Sequence, residues 1–295
     1  MPEPNWDLYR TFLAVLEEGT LSGAARTLGL TQPTVGRHIE ALEQALGFAL
    51  FTRSQQGLAP TAGAQQLKPY AEALASTAAA LLRIASSEAG EARGTVRVTA
   101  SEVIGAEVLP AILAPLREAH PKLAIELVLS NRVENLLARE ADIAVRMVRP
   151  DQEALVARHI GAIPLGFFAR QDYLQRHGAP HSLGELAAHT LIGFDRDVSS
   201  VRAFAAQIGP LDPNLFALRT DNQLAHLAAI RAGFGVGVAQ VGLAKRDPRL
   251  VRVLADQFEA NLDTWLAMHE DLRETRRCRV VFEALSEGLL EYIRR

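Results

Sequence analysis

A single cysteine, Cys278, occurs in the 295 residues of this chain. That scarcity excludes an internal disulfide framework and a cysteine-rich metal site, and it fits a reducing compartment. No run of about 18 apolar residues is present to form a membrane-spanning helix. The N-terminus also lacks a charged-then-apolar leader, so a cytoplasmic protein with no membrane partner is expected.

Catalytic and cofactor signals are equally sparse. The eight histidines show no metal-ligand spacing, and His177 and His181 straddle Gly178 and Pro180, which do not hold two rings on one helical face. No metal or other cofactor is therefore expected. No Ser, His and acidic grouping has a nucleophile-elbow context, so nothing points to an enzyme. The run Gly233-Phe234-Gly235-Val236-Gly237 lacks the later glycine of a dinucleotide fingerprint and the Lys-Ser or Lys-Thr of a phosphate loop. It reads as a helix end turning into a strand.

What is present is enough apolar sequence for buried cores, 48% of residues, and a length that predicts roughly two domains. The informative stretch lies between Trp6 and Gly63. Leu8, Phe12 and Val15 form a helical stripe that stops at Glu18-Gly19, and a second helix, with Ser22 as the expected N-cap, runs to Leu28-Gly29. Gly23, Ala24 and Ala25 are small enough for a close helix crossing. Thr31 is placed to cap a third helix, and Pro33 sits in its first turn, where the missing N–H breaks no helical bond. In that helix Val35, Ile39, Leu42 and Leu46 share one face. At about 100° per residue Arg37 points away from them, beside Pro33 and Gln44. This is helix-turn-helix grammar.

Two short strands then flank a polar turn, Leu50-Phe51-Thr52-Arg53 and Leu58-Ala59-Pro60, and read as a wing from which Arg53 emerges. A basic surplus is missing here. Arg10, Arg26, Arg37 and Arg53 are outnumbered by Glu3, Asp7, Glu17, Glu18, Glu40 and Glu43, so binding to a polyanion cannot rest on bulk charge. The acidic residues are expected on a solvated far face, leaving binding to a few aimed contacts and to more than one copy of the module.

The ordered run of Ala24-Ala25, Leu28, Thr31-Gln32-Pro33-Thr34-Val35, Arg37, Ile39, Leu42-Glu43, Leu46-Gly47, Leu50-Phe51, Arg53, Gly57, Leu58, Thr61 and Gly63 resembles the winged helix-turn-helix of LysR-type transcriptional regulators. The resemblance extends more loosely over the whole chain, because members carry a ligand-sensing domain after a linker helix. It implies that Ser22, Thr31, Gln32, Pro33, Thr34, Arg37, His38 and Arg53 meet double-stranded promoter DNA.

From Thr61 to about Glu91 an Ala-rich segment carries Leu67, Leu74, Leu81 and Ile84 at helical spacing, with Pro69 expected to bend it. Its economical partner is the same helix of a second chain, as in the LysR-type dimer or dimer of dimers, the alternative being a connecting helix packed on its own domain. Beyond Gly94 the expected strands at 95–99, 124–129 and 142–148 alternate with helices at 104–120 and 133–139, as in a parallel sheet covered by helices. A second cycle has strands at 163–170, 191–195 and 216–220, helices at 203–208 and 222–232, a strand at 262–269 and a final helix at 279–293.

The expected architecture is thus an α/β fold with an all-α-type N-terminal module. Residues 1–62 form the winged helix-turn-helix, 63–92 the linker and dimerisation helix, and 93–295 the effector-binding domain. The likeness to the family's periplasmic-binding-protein architecture implies subdomain I at about 93–163 and 269–295 and subdomain II at about 164–268, with hinges near Ile163-Pro164 and Met268-His269. Strand ends and helix starts, together with the places where the resemblance implies that the family lines its cleft, put candidate effector residues at Ser101, Glu102, Ser130, Asn131, Arg146, Met147, Arg202 and Thr220. The arginines favour an acidic ligand, an organic acid, although Glu102 is an unusual neighbour for one. Ser101 reads equally well as a simple N-cap, and Asp142 as structural. RNA polymerase is a further partner under this resemblance. The alternatives are a solute-binding protein, a ligand-independent DNA-binding repressor and an enzyme on the same α/β fold.

Overall fold

The computed structural model describes residues 4–54, 57–85, 92–131, 141–150, 155–195 and 213–294. These residues form two compact units, one up to Ala85 and one from Ala92 onward.

In the first unit three helices, α1 (Trp6–Glu18), α2 (Leu21–Leu28) and α3 (Gln32–Leu46), each stop at a left-handed glycine: Gly19, Gly29 and Gly47. Their starts are capped by Asn5, Thr20 and Thr31. The N-cap of α2 is therefore Thr20, whose hydroxyl accepts from Gly23 N at 3.0 Å, and not Ser22, which lies exposed within the first turn. The stripes meet as expected: Phe12, Val15, Ala24, Ala25, Val35, Ile39, Leu42 and Leu50 form one buried core.

Strands β1 (Phe51–Ser54) and β2 (Gly57–Pro60) pair antiparallel, with Arg53 opposite Leu58. Two acidic residues expected on a solvated face instead brace this arrangement. Glu43 Oε1 accepts from Leu50 N at 2.6 Å and Phe51 N at 3.3 Å, which ties α3 to the wing. Glu18 Oε1 accepts from the Thr27 hydroxyl at 2.7 Å, joining α1 to the end of α2. The wing is also pinned to α1, because Leu58 N donates to Gly19 O at 2.8 Å. Gly57 is required there: its φ is +127°, and a Cβ would sit 2.6 Å from Gly19 O.

Thr61 caps α4 (Ala62–Ala85), which continues through Pro69. Residues 86–91, where the sequence extends this helix, lie outside the described residues. Ala64 and Ala71 are buried on the core of α1 to α3, whereas Tyr70, Leu74 and Leu81 are exposed.

In the second unit the strands are β3 (Gly94–Ala100), β4 (Leu123–Leu129), β5 (Ile143–Arg146), β6 (Leu155–Arg170), β7 (Leu191–Phe194), β8 (Phe216–Thr220), β9 (Gly237–Gln240), β10 (Leu250–Val253) and β11 (Ala260–His269). The main sheet runs β10-β6-β11-β5-β3-β4, with β9 also on β6, and β7 and β8 form a separate parallel pair. The expectation of a parallel sheet holds only at β4-β3-β5 and β7-β8. Strands β6 and β11 run antiparallel to each other and to their other neighbours, so the large sheet is mixed. These two long strands run side by side, and their register slips between Thr264 and Trp265, opposite Gly161 and His159.

The single helix expected at 104–120 is two helices, α5 (Glu102–Glu107) and α6 (Leu109–Ala119), divided at Val108 ahead of Pro110. Then come α7 (Gln171–His177), α8 (Gln223–Ala232), α9 (Val241–Ala244) and α10 (Arg276–Arg294). The helices expected at 133–139 and 203–208 lie outside the described residues. Each glycine of the Gly233 to Gly237 run has a packing reason. Gly233 is the left-handed stop of α8, a Cβ on Gly235 would meet Thr190 O at 2.1 Å, and one on Gly237 would meet Ile230 at 2.8 Å.

Candidate functional site

The first unit presents its candidates on one end of α3 and on the wing. With Val35, Ile39 and Leu42 buried, the residues on the other side of α3 are turned outward: Thr31, Gln32, Pro33 and Arg37 are exposed, and Thr34 is half-buried. Thr31 and Thr34 hold the helix start, Thr31 Oγ1 accepting from Thr34 N at 3.4 Å and lying 2.8 Å from the Thr34 hydroxyl. Pro33 adds no free N–H to that turn. His38 faces the other way, its Nδ1 2.9 Å from the Thr11 hydroxyl on α1, so the ring helps join α3 to α1. Ser22 on α2 and Arg53 on β1 are both exposed. Gln32 and Arg37 thus stand out as donor-bearing side chains on a helix whose opposite face is locked into a core.

In the second unit the candidates engage one another. Ser101 sits at the N-cap of α5, buried, but its hydroxyl makes no capping bond. The Glu102 backbone N–H is instead taken by Asn131 Oδ1 at 3.1 Å, and Ser130 N donates to Ala100 O at 2.9 Å. Across the unit, Thr220 Oγ1 accepts from Asn222 N at 3.1 Å and Asn222 Oδ1 accepts from Ala225 N at 2.8 Å, forming the start of α8. Glu102 reaches this start: its Oε2 accepts from Gln223 N at 2.8 Å.

Arg146 does not extend freely toward these groups. It is buried, with Nη2 on the Thr99 hydroxyl at 2.8 Å and Nη1 on Val145 O at 3.2 Å, where it pins β5 to β3. Met147 receives the Thr264 hydroxyl at its sulfur, 3.8 Å away. Asp142 fastens the same strands, accepting the Arg97 N–H at 2.8 Å. Arg202 and the neighbouring Arg196, Ser199 and Ser200 lie outside the described residues.

Two groups carry unmarked roles in the sequence. Glu107 at the end of α5 takes both Arg231 Nη atoms, at 2.6 and 2.9 Å, and Arg246 Nη1 donates to the Glu107 carbonyl at 2.9 Å. The Arg231 hydrogen bonds hold the Glu107 carboxyl below its ordinary pKa despite partial burial. His226, on the inward face of α8, stacks on Phe194 at 4.4 Å, and burial pushes its pKa from 6.5 down to about 4 against a smaller upward pull from the Gly193 and Val238 backbone. Its place one turn beyond Asn222, among Leu227 and Ile230, was the available clue to burial. No cluster of His, Cys, Asp and Glu fit to hold a metal occurs among the described residues. None of their helices is long and apolar enough to cross a membrane.

Comparison with known proteins places both units. The family model described as LysR substrate binding domain matches residues 89–290, and that described as bacterial regulatory helix-turn-helix protein, lysR family, matches residues 6–65. The HTH-type transcriptional regulator CrgA of Neisseria meningitidis is 29% identical over 287 residues, covering 94% of this chain and 95% of that protein. The HTH-type transcriptional regulator ClcR of Pseudomonas putida is 30% identical over 239 residues, covering 78% of this chain and 80% of its own length. The solved structure of Neisseria meningitidis CrgA superposes with a TM-score of 0.60 at 25% identity, over 97% of this chain and 99% of that one. A capped helix-turn-helix with a wing, a long helix and a mixed α/β unit, matched by both models in the same order, establish that this chain belongs to the LysR family of DNA-binding transcriptional regulators with a substrate-binding effector domain.

Proposed function

We propose that the chain binds double-stranded promoter DNA through the start of α3 and the wing, and that a small molecule acting on the α/β unit modulates this binding. Residues 1–62 read DNA, 63–92 join two copies, and 93–295 sense the ligand through subdomains at about 93–163 with 269–295 and at about 164–268. Gln32 and Arg37 address base edges, while Thr31, Thr34, Ser22 and Arg53 address the backbone. His38 acts indirectly, by holding α3. The carrying observation is the exposure of Gln32, Pro33 and Arg37 on a helix whose other face is buried.

Exposed Tyr70, Leu74 and Leu81 on α4 supply the apolar surface for pairing two chains into a dimer or tetramer. Two modules offset the weak basic balance of one. A regulator of this kind acts in the cytoplasm, meets RNA polymerase at the promoter and needs no catalytic group of its own. The effector lies between Ser101, Ser130, Asn131 and Thr220, in the region where the two subdomains meet.

The test is a mobility-shift titration of the full chain on its own upstream DNA against random DNA. Gln32→Ala and Arg37→Ala are each expected to cost about 1–3 kcal/mol on the specific site alone. Arg53→Ala should weaken binding to every sequence and reduce the salt slope by about one. Absence of any sequence-dependent shift by the unmodified chain would overturn the reading.

A further inference from the structure

Two short helices meet inside the α/β unit, α5 following β3 and α8 following β8. Three contacts join them. At the leading ends Glu102 Oε2 accepts the Gln223 N–H at 2.8 Å, although 121 residues separate the two in sequence. At the trailing ends Glu107 takes Arg231 through two hydrogen bonds. Between these ties, Val103 packs on the core formed by Phe168, Ile192, Leu227 and Ile230. A polar, apolar and polar sequence of contacts therefore closes one half of the unit onto the other.

The leading contact has the chemistry of ligand recognition. Free N–H groups in the first turn of a helix, together with its dipole, favour a carboxylate. At α8 this carboxylate comes from the chain itself. Asn222 takes a further donor of that turn, Ala225 N, at 2.8 Å, and Asn131 takes the Glu102 N–H at the start of α5. A carboxylate ligand arriving at Gln223 would have to displace Glu102 and meet a like charge.

We propose that Glu102 is a built-in effector carboxylate: it closes the two halves from within and excludes small anionic ligands from the start of α8. This inference rests on the α/β unit being the ligand-sensing part. It replaces the organic acid expected from the arginines with a ligand that carries no carboxylate for this donor, in keeping with Arg146 being committed to Thr99 and Val145. Such a ligand acts by favouring an arrangement other than the Glu102-bound one, because only a difference in affinity between two states shifts their balance.

Removing the internal carboxylate and offering one from solution tests this directly. In full-length chain carrying Trp6→Phe, Trp265 fluorescence follows thermal unfolding of the α/β unit, in sodium acetate or in sodium chloride at equal ionic strength. Glu102→Ala should unfold at a lower temperature than the parent and regain stability in acetate. The parent and Glu102→Gln, whose amide oxygen still fills the site, should not respond. A Glu102→Ala protein indifferent to acetate, or an equal acetate response in all three proteins, overturns the proposal. If Glu102→Ala does not fold, Glu102→Ser opens the same N–H and is judged by the same result. Promoter binding by the unmodified chain is measured alongside: its absence sinks the regulator reading without altering the acetate result.

Discussion

The two units of this chain deploy their polar side chains in opposite ways. In the helix-turn-helix, Gln32, Arg37 and Arg53 are exposed, and the internal bonding is done by Glu18, Glu43, Thr20 and Thr31. In the α/β unit the residues proposed to meet a ligand are bonded within the chain: Glu102 to Gln223, Asn131 to Glu102, Arg146 to Thr99. The lesson is about the partner. A DNA duplex is large and rigid and can be met by groups held ready at a surface. A small molecule offers far less surface and, on the proposed reading, is met by groups that also bond to one another within the α/β unit.

The sharpest way to break this comparison is acid. His226 belongs to the α/β unit and has a pKa of about 4 in the fold against 6.5 ordinarily, so the folded state binds its proton more weakly than the unfolded chain. The stability it confers is fully present above pH 6.5 and is lost as pH falls through about 4, a difference of about 3 kcal/mol. The two tryptophans, Trp6 and Trp265, report on separate units. Urea unfolding of Trp6→Phe protein should lose stability across that window, and His226→Gln should flatten the loss. Equal acid sensitivity in the His226→Gln protein would show that another group governs it.

A smaller effect is expected in the helix-turn-helix, where the comparison predicts that structure and contact are carried by different residues. Glu43 is the acceptor for Leu50 N and Phe51 N, and Leu50 is fully buried. Glu43→Ala leaves those donors without their partner and should cost about 1–3 kcal/mol, read from Trp6 fluorescence in a Trp265→Phe background. DNA affinity should fall on specific and random sequences alike, because the wing is displaced while the outward face of α3 is unaltered. Glu43→Gln keeps an acceptor oxygen and should recover most of both losses. A stable Glu43→Ala protein with normal binding would remove Glu43 from the frame of the wing.

The same contrast explains what the sequence disclosed. The helices of the first unit were legible because their signals are local: apolar residues at helical spacing, then Gly19, Gly29 and Gly47 as stops. The wing was legible from its turn. The first half of β6, Leu155 to Gly161, was missed because its pairing is with β11, about a hundred residues away, and no alternation in its own sequence marks one buried face. Glu18 and Glu43 were misassigned for a related reason, since charge alone does not reveal which carboxylate meets a backbone N–H across a turn. Glu102 was visible as an odd neighbour for an anion. Its reach to Gln223 joins residues 121 apart in sequence, which no local pattern encodes.

The smallest expected effect separates structure from contact within a single turn. Thr20 caps α2 through its hydroxyl, while Ser22, two residues on, lies exposed with no role in the cap. Thr20→Ala should therefore cost about 1 kcal/mol of stability, and any loss of DNA affinity should follow from that alone, uniform across sequences and restored on cooling. Ser22→Ala should leave Trp6-detected unfolding unchanged and weaken DNA binding modestly, as expected for a hydroxyl addressed to a phosphate. If Ser22→Ala instead destabilises the unit as much as Thr20→Ala does, the surface of α2 is part of the frame, and the division between groups that hold and groups that read fails at the point where the helix-turn-helix is smallest.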